Sequence, residues 1–138
     1  MNTATVGLLG GALLLACFPA LSFAQGAGQR VYELRTYTTV EGRLEALQAR
    51  FRNHTIKLFE KHGMTNVGYW VPQDEPASKN TLIYIISHKS REAAKKSWDA
   101  FRADPEWKKV QAESEKDGKI VDKVVSVFMT STDYSKLK

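Results

Sequence analysis

The sequence predicts an α+β domain of the split βαβ (ferredoxin-like) type with a four-stranded antiparallel sheet. Three observations predict it. Four stretches rich in β-branched and aromatic residues alternate with amphipathic ones, in the order strand, helix, strand, strand, helix, short helix, strand. The 138 residues suffice for one domain and not two. The third and last strand stretches carry apolar residues on both faces, more than helices on one side of a sheet would cover. A patch of that size calls for a partner. The simplest solution packs two sheets face to face across a two-fold axis, giving a homodimer.

Taken in order, residues 1–24 read as a signal peptide. The run from Val6 to Leu21 is apolar and uncharged, and too short to span a bilayer once its Gly and Pro residues are discounted. Ser22-Phe23-Ala24 supplies small residues at the cleavage positions before Gln25, so the mature chain is expected to be exported, periplasmic or secreted. A minority reading treats Leu14-Leu15-Ala16-Cys17 as a lipobox, with Cys17 as a lipid anchor. Cys17 is the only cysteine, so cleavage after Ala24 leaves a mature domain stabilised by packing alone, without thiol chemistry or thiolate metal ligands.

Residues 25–30 are polar and Gly-rich, a flexible lead-in to a domain spanning 31–130. The first strand, 31–38, sets Tyr32, Leu34 and Thr36 on one face and Val31, Glu33, Arg35 and Tyr37 on the other. Glu33 and Arg35 are either an ion pair within the sheet or polar groups lining a pocket. After the Glu41-Gly42 turn, a helix over 43–62 carries the stripe Leu44, Leu47, Phe51, Leu58 and Phe59, with Gly63 as its C′ residue. A second strand follows over 64–71, closed by Pro72, and then a polar loop over 73–80. The third strand covers 81–88 and reads as buried on both faces. Ser90 is the expected N-cap of a helix over 91–103, and Asp104-Pro105 restarts the chain as N-cap and first residue of a short helix. The last strand spans 120–130, and 131–138 form a polar tail.

Net charge is +5, but the signs are mixed and no Lys/Arg run of five occurs, which disfavours nucleic acid as a partner. His54 is the best single candidate for acid/base work, because it falls beside the apolar stripe of the first helix, where that helix meets the sheet. His62 fits a helix C-terminus, where a cation meets the dipole favourably, and His88 ends the third strand and reads as exposed. His54 and His62 lie about two turns apart, too far to share an ion, so no metal site is expected. No cofactor is called for either. A ring-lined pocket for a small apolar ligand is the further possibility, with Tyr32, Arg35, Tyr37, Trp70, Tyr84 and Trp98 as candidate contacts.

Five stretches then add up to a family likeness. They are Tyr32-Glu33-Leu34-Arg35-Thr36-Tyr37-Thr38, Phe51-Arg52-Asn53-His54-Thr55, Glu60-Lys61-His62-Gly63, Gly68-Tyr69-Trp70, and the run from Trp98 through Ala100-Phe101-Arg102-Ala103-Asp104-Pro105-Glu106 to Trp107. Together they resemble the NIPSNAP family over residues 31–129. The resemblance implies a dimeric α+β barrel, the fold shared with cofactor-free monooxygenases of the antibiotic-biosynthesis type and with muconolactone isomerases. It implies no defined activity. Three functions follow as expectations. One is binding of a small apolar molecule between sheet and helices. The second is a cofactor-free oxygenase or isomerase using His54 as base, with Arg35 or a Tyr hydroxyl stabilising an enolate-like state. The third is an interaction module, which predicts a filled core with no cavity.

Overall fold

The computed structural model describes residues 30–138; the segment expected to be a signal peptide, Cys17 and most of the expected lead-in lie outside the described residues. The elements are β1 (Val31–Thr39), α1 (Leu44–Arg50), a π-helical segment (Phe51–Thr55), α2 (Ile56–Lys61), β2 (Thr65–Trp70), α3 (Ala77–Asn80), β3 (Thr81–His88), α4 (Arg91–Ala103), α5 (Pro105–Ser114) and β4 (Val121–Thr130). The strands form one antiparallel sheet in the order β2-β3-β1-β4. This is the α+β, ferredoxin-like architecture that the alternation of periods predicts, with β1 in the interior of the sheet and the starts of α4 and α5 set by local capping chemistry.

Those boundaries follow the expected caps. The Ser90 hydroxyl accepts from the Ala93 N–H at the start of α4, and the Asp104 carboxylate accepts from the Glu106 N–H at the start of α5. Gly63 leaves α2 at φ +77°, a conformation that costs an L-residue energy and glycine little. Two details differ. The loop over 73–80 contains the single turn α3. The lead-in ends in an anchored residue, since the Arg30 guanidinium donates to Ser87 Oγ and, at 2.7 Å, to Thr65 Oγ1.

Strand alternation divides the sheet into two unlike faces. In register across β3, β1 and β4, Ile86, Glu33 and Phe128 share one face with Tyr84, Arg35 and Ser126. This face meets the helices, and Leu47, Phe51, Phe59, Tyr84, Ile86, Trp98 and Phe101 make the core between them. Its aromatic side chains pack mostly edge to face, Phe59 against Trp98 with centroids 5.4 Å apart and against Phe101 at 5.1 Å. Among the described residues, no helix covers the other face. Leu34, Ile83, Ile85 and Met129 are half-buried there, and Trp70, Val125 and Val127 are exposed. β3 is thus fully buried on its helix face only. The Trp70 indole folds back over Gly68, where an added Cβ would meet the ring at 2.5 Å; only glycine fits under it. The tail returns toward this open face, with the Tyr32 hydroxyl donating to the Lys138 carbonyl.

Candidate functional site

A cavity of about 270 Å³ opens between the helix face of the sheet and the helices. Its interior is ring-lined, by Tyr37 of β1, Phe51 of the π-helical segment, Phe59 of α2, Phe101 of α4 and Trp107 of α5, with Val121 and Val124 of β4. Polar side chains share the lining: Thr55, Arg50, Gln111, Glu115 and Lys119. This is the composition of a site for a small, largely apolar molecule, near the small end of the usual size range.

The wall on the helix side has a local cause. The Ile56 N–H bonds the Phe51 carbonyl five residues back, which widens one turn of the helix. In that turn Phe51 and Thr55 are buried together, and the Thr55 hydroxyl donates to the Arg50 carbonyl. Such single π turns recur at functional sites. The widening also settles His54. In a regular α-helix a residue three positions after Phe51 stays near its face; in the wider turn Thr55 takes that place and His54 is turned out. His54 is exposed and lines a separate groove with Asn53 and Asp117, so the expectation that it meets the sheet is overturned.

The buried charge in the cavity wall is Arg50, which no sequence motif singles out. Its side chain is almost wholly buried, at 4% exposure, and donates to Ser114 Oγ at 3.3 Å and Glu115 Oε1 at 3.2 Å. Its Nε is buried without a hydrogen-bond partner among the described residues. The signal was its place three residues after Leu47, on the flank of the buried stripe. Tyr37 brings its hydroxyl to this region, accepting from Tyr84 at 3.1 Å. Burial holds the Tyr84 phenol well above its ordinary pKa.

A second constellation lies beside the cavity. Glu33, 1% exposed, accepts from His88 Nε2 (2.9 Å), Trp98 Nε1 (2.8 Å), Arg35 (2.7 Å) and Ser126 Oγ (2.7 Å). Burial pushes the carboxyl up, but the bonds from His88, Ser126, Trp98 and Arg35 outweigh it and hold it at about 2. The Arg35 guanidinium lies 4.2 Å from the centroid of the Trp98 ring. Both readings of the Glu33/Arg35 pair therefore hold: it is an ion pair, and it floors a groove that also takes in Arg91, Lys95 and Arg102. Lys95 and Arg102 both bond Asp99, and Arg91 lies over Phe128 at 3.5 Å. His88 is buried, not exposed; it shares strand parity with Tyr84 and Ile86, the signal that could have placed it. His62 finds a specific partner in Asp104 Oδ2 at 2.7 Å. The Asp104 carboxyl is held well below the usual range by Lys61 first and then His62.

The six candidate contacts do not converge. Tyr37 lines the cavity, Arg35 and Trp98 line the groove, and Tyr84 is in the core. Tyr32 faces the other side of the sheet, in a recess with Ile85, Met129 and Leu137, and Trp70 is 51% exposed on that same face. The cause is alternation along β1, which separates Tyr32 from Arg35 and Tyr37. Among the described residues, no group of His, Cys, Asp and Glu is arranged to hold a metal ion, and no helix is long and apolar enough to cross a membrane.

The comparisons with known proteins agree with this architecture. A family model, NIPSNAP, matches residues 32–136. A NIPSNAP family protein of unknown function from Agrobacterium tumefaciens superposes with a TM-score of 0.68 at 21% identity, covering 82% of this chain and 97% of that one. An uncharacterised NIPSNAP-like domain protein from Burkholderia xenovorans gives 0.67 at 14% identity, covering 78% and 90%. SnoaB, a cofactor-independent oxygenase from Streptomyces nogalater, gives 0.53 at 12% identity, covering 78% and 98%. None of the curated proteins matches.

Proposed function

The chain belongs to the NIPSNAP family, and from that premise we propose that it is an exported protein that binds a small, largely apolar molecule in the cavity between sheet and helices, acting as a homodimer. The single observation that carries this reading is the cavity itself: about 270 Å³, ring-lined, with a π-helical turn built into its wall. A pure interaction module needs no such ring-lined recess between sheet and helices.

The dimer rests on the uncovered sheet face. Trp70, Val125 and Val127 are exposed there beside half-buried Leu34, Ile83, Ile85 and Met129. Apolar surface of that kind is stabilised by a second sheet packing about 10 Å away. Export rests on the apolar leader and the small residues before Gln25.

A second reading is a cofactor-free oxygenase or isomerase, favoured by the fold likeness to SnoaB. In this reading the polar groups available at the cavity are the Tyr37 and Thr55 hydroxyls, Arg50, Gln111, Glu115 and Lys119. His54, turned outward, is not among them. Native mass spectrometry of the mature protein from its own host tests both the ligand and the dimer. The expected result is a dimer that carries a small-molecule adduct under gentle conditions and loses it on denaturation. A monomer sinks the sheet-to-sheet assembly, and a dimer with no adduct that also takes up no added apolar compound sinks the binding reading.

A further inference from the structure

The cavity's polar equipment is lopsided. Two cationic side chains, Arg50 and Lys119, and one carboxylate, Glu115, line it. Arg50 is the buried member, and its hydrogen bonding is incomplete: five N–H donors meet two long contacts to Ser114 and Glu115, and Nε has no partner. A buried guanidinium is ordinarily paired closely, often in a two-pronged contact with a carboxylate. Here Glu115 reaches it with one oxygen at 3.2 Å and is itself 27% exposed. Glu115 can therefore turn into solvent at small cost, whereas Arg50 cannot leave. Lys119 makes only a long 3.5 Å contact to Asp122.

We infer that the ligand of this cavity is an apolar carboxylate, aromatic or short-chain, whose hydrophobic body lies among Phe51, Phe59, Phe101 and Trp107 and whose carboxylate displaces Glu115 from Arg50. The ion pair is thus a latch: Glu115 satisfies Arg50 in the empty protein, and the ligand satisfies it better, with Lys119 adding charge at the mouth. Tyr37 and Thr55 complete the polar lining on the sheet and helix sides. The inference rests on the binding reading above and adds the chemical class of the ligand and the residue that selects it.

The test is calorimetric titration of the purified protein with 2-naphthoate and with 2-naphthylmethanol, which share a ring system and differ in charge. Naphthoate is expected to bind roughly ten- to a hundredfold more tightly, the range of a charge-assisted hydrogen bond. Arg50→Gln should abolish that preference. Glu115→Gln, which removes the competing carboxylate from the cavity wall, should strengthen naphthoate binding severalfold and change alcohol binding by a smaller factor, so that the preference for naphthoate widens; it keeps the test decisive if the Arg50 variant folds poorly. Equal affinities for the two compounds overturn the Arg50 assignment while the cavity stands. Binding of neither overturns the cavity reading and this inference together.

Discussion

Two buried charges face the helix layer, and they are treated oppositely. Glu33 sits at the centre of the sheet with four donors from β1, β3, β4 and α4, each within 2.9 Å. Arg50, on the first helix, has two contacts beyond 3.1 Å and an unpartnered Nε. A saturated buried charge is a structural joint, because every group around it depends on its presence. An under-satisfied one beside a cavity is where a ligand has something to gain. Burial alone would have ranked the two as equals; the number and length of their hydrogen bonds separates them.

The largest test of that contrast is Glu33→Gln. It leaves Arg35 and three other donors facing an amide, and should cost roughly 3–5 kcal/mol, the usual penalty for breaking a buried pair on one side. Chemical unfolding at neutral pH measures it, and a loss under about 1 kcal/mol would mean the network is ornamental. The next largest effect is on acid stability. The folded Glu33 carboxyl lies at about 2, below its ordinary value of 4.5. A lowered carboxyl contributes stability that is fully present above the unfolded value and is lost as pH falls through the folded one. The free energy of unfolding should therefore drop between about pH 4.5 and pH 2, by roughly 3 kcal/mol from this group. Asp104, also lowered, acts in the same direction. In Glu33→Gln the acid limb should be visibly flatter, and an unchanged limb would assign acid sensitivity elsewhere. The smallest effect belongs to Arg50→Met. Replacing a loosely held buried cation with an apolar side chain of similar length should change stability by no more than about 1 kcal/mol, since partly exposed Glu115 can then hydrate. A loss as large as that of Glu33→Gln would erase the contrast and make Arg50 a second joint.

Elements with local signals were legible in the sequence to within a residue or two. Ser90, Asp104-Pro105 and Gly63 carry their own capping chemistry, so α4, α5 and the end of α2 fall where expected. The candidate site was legible only in part. Its location between sheet and helices was expected, and Tyr37 was named for it. Arg50, Thr55 and the outward turn of His54 were not, because one widened helical turn reassigns every side chain near it and no residue type announces that turn. The gap in the apolar stripe between Phe51 and Leu58, filled by Thr55, was its only trace.

By itself, then, the sequence determined the order of elements, the caps, the two-faced first strand and the apolar excess that leaves one sheet face uncovered. These depend on residues near one another in the chain, and local sterics and periodicity decide them. Only the tertiary structure decided that Glu33 gathers His88, Trp98 and Ser126 from distant elements, that Arg50 is left short of partners, and which rings enclose the cavity. Those outcomes depend on strand register and on the docking of helix against sheet, which are set by the summed packing of the whole core and not by any one segment.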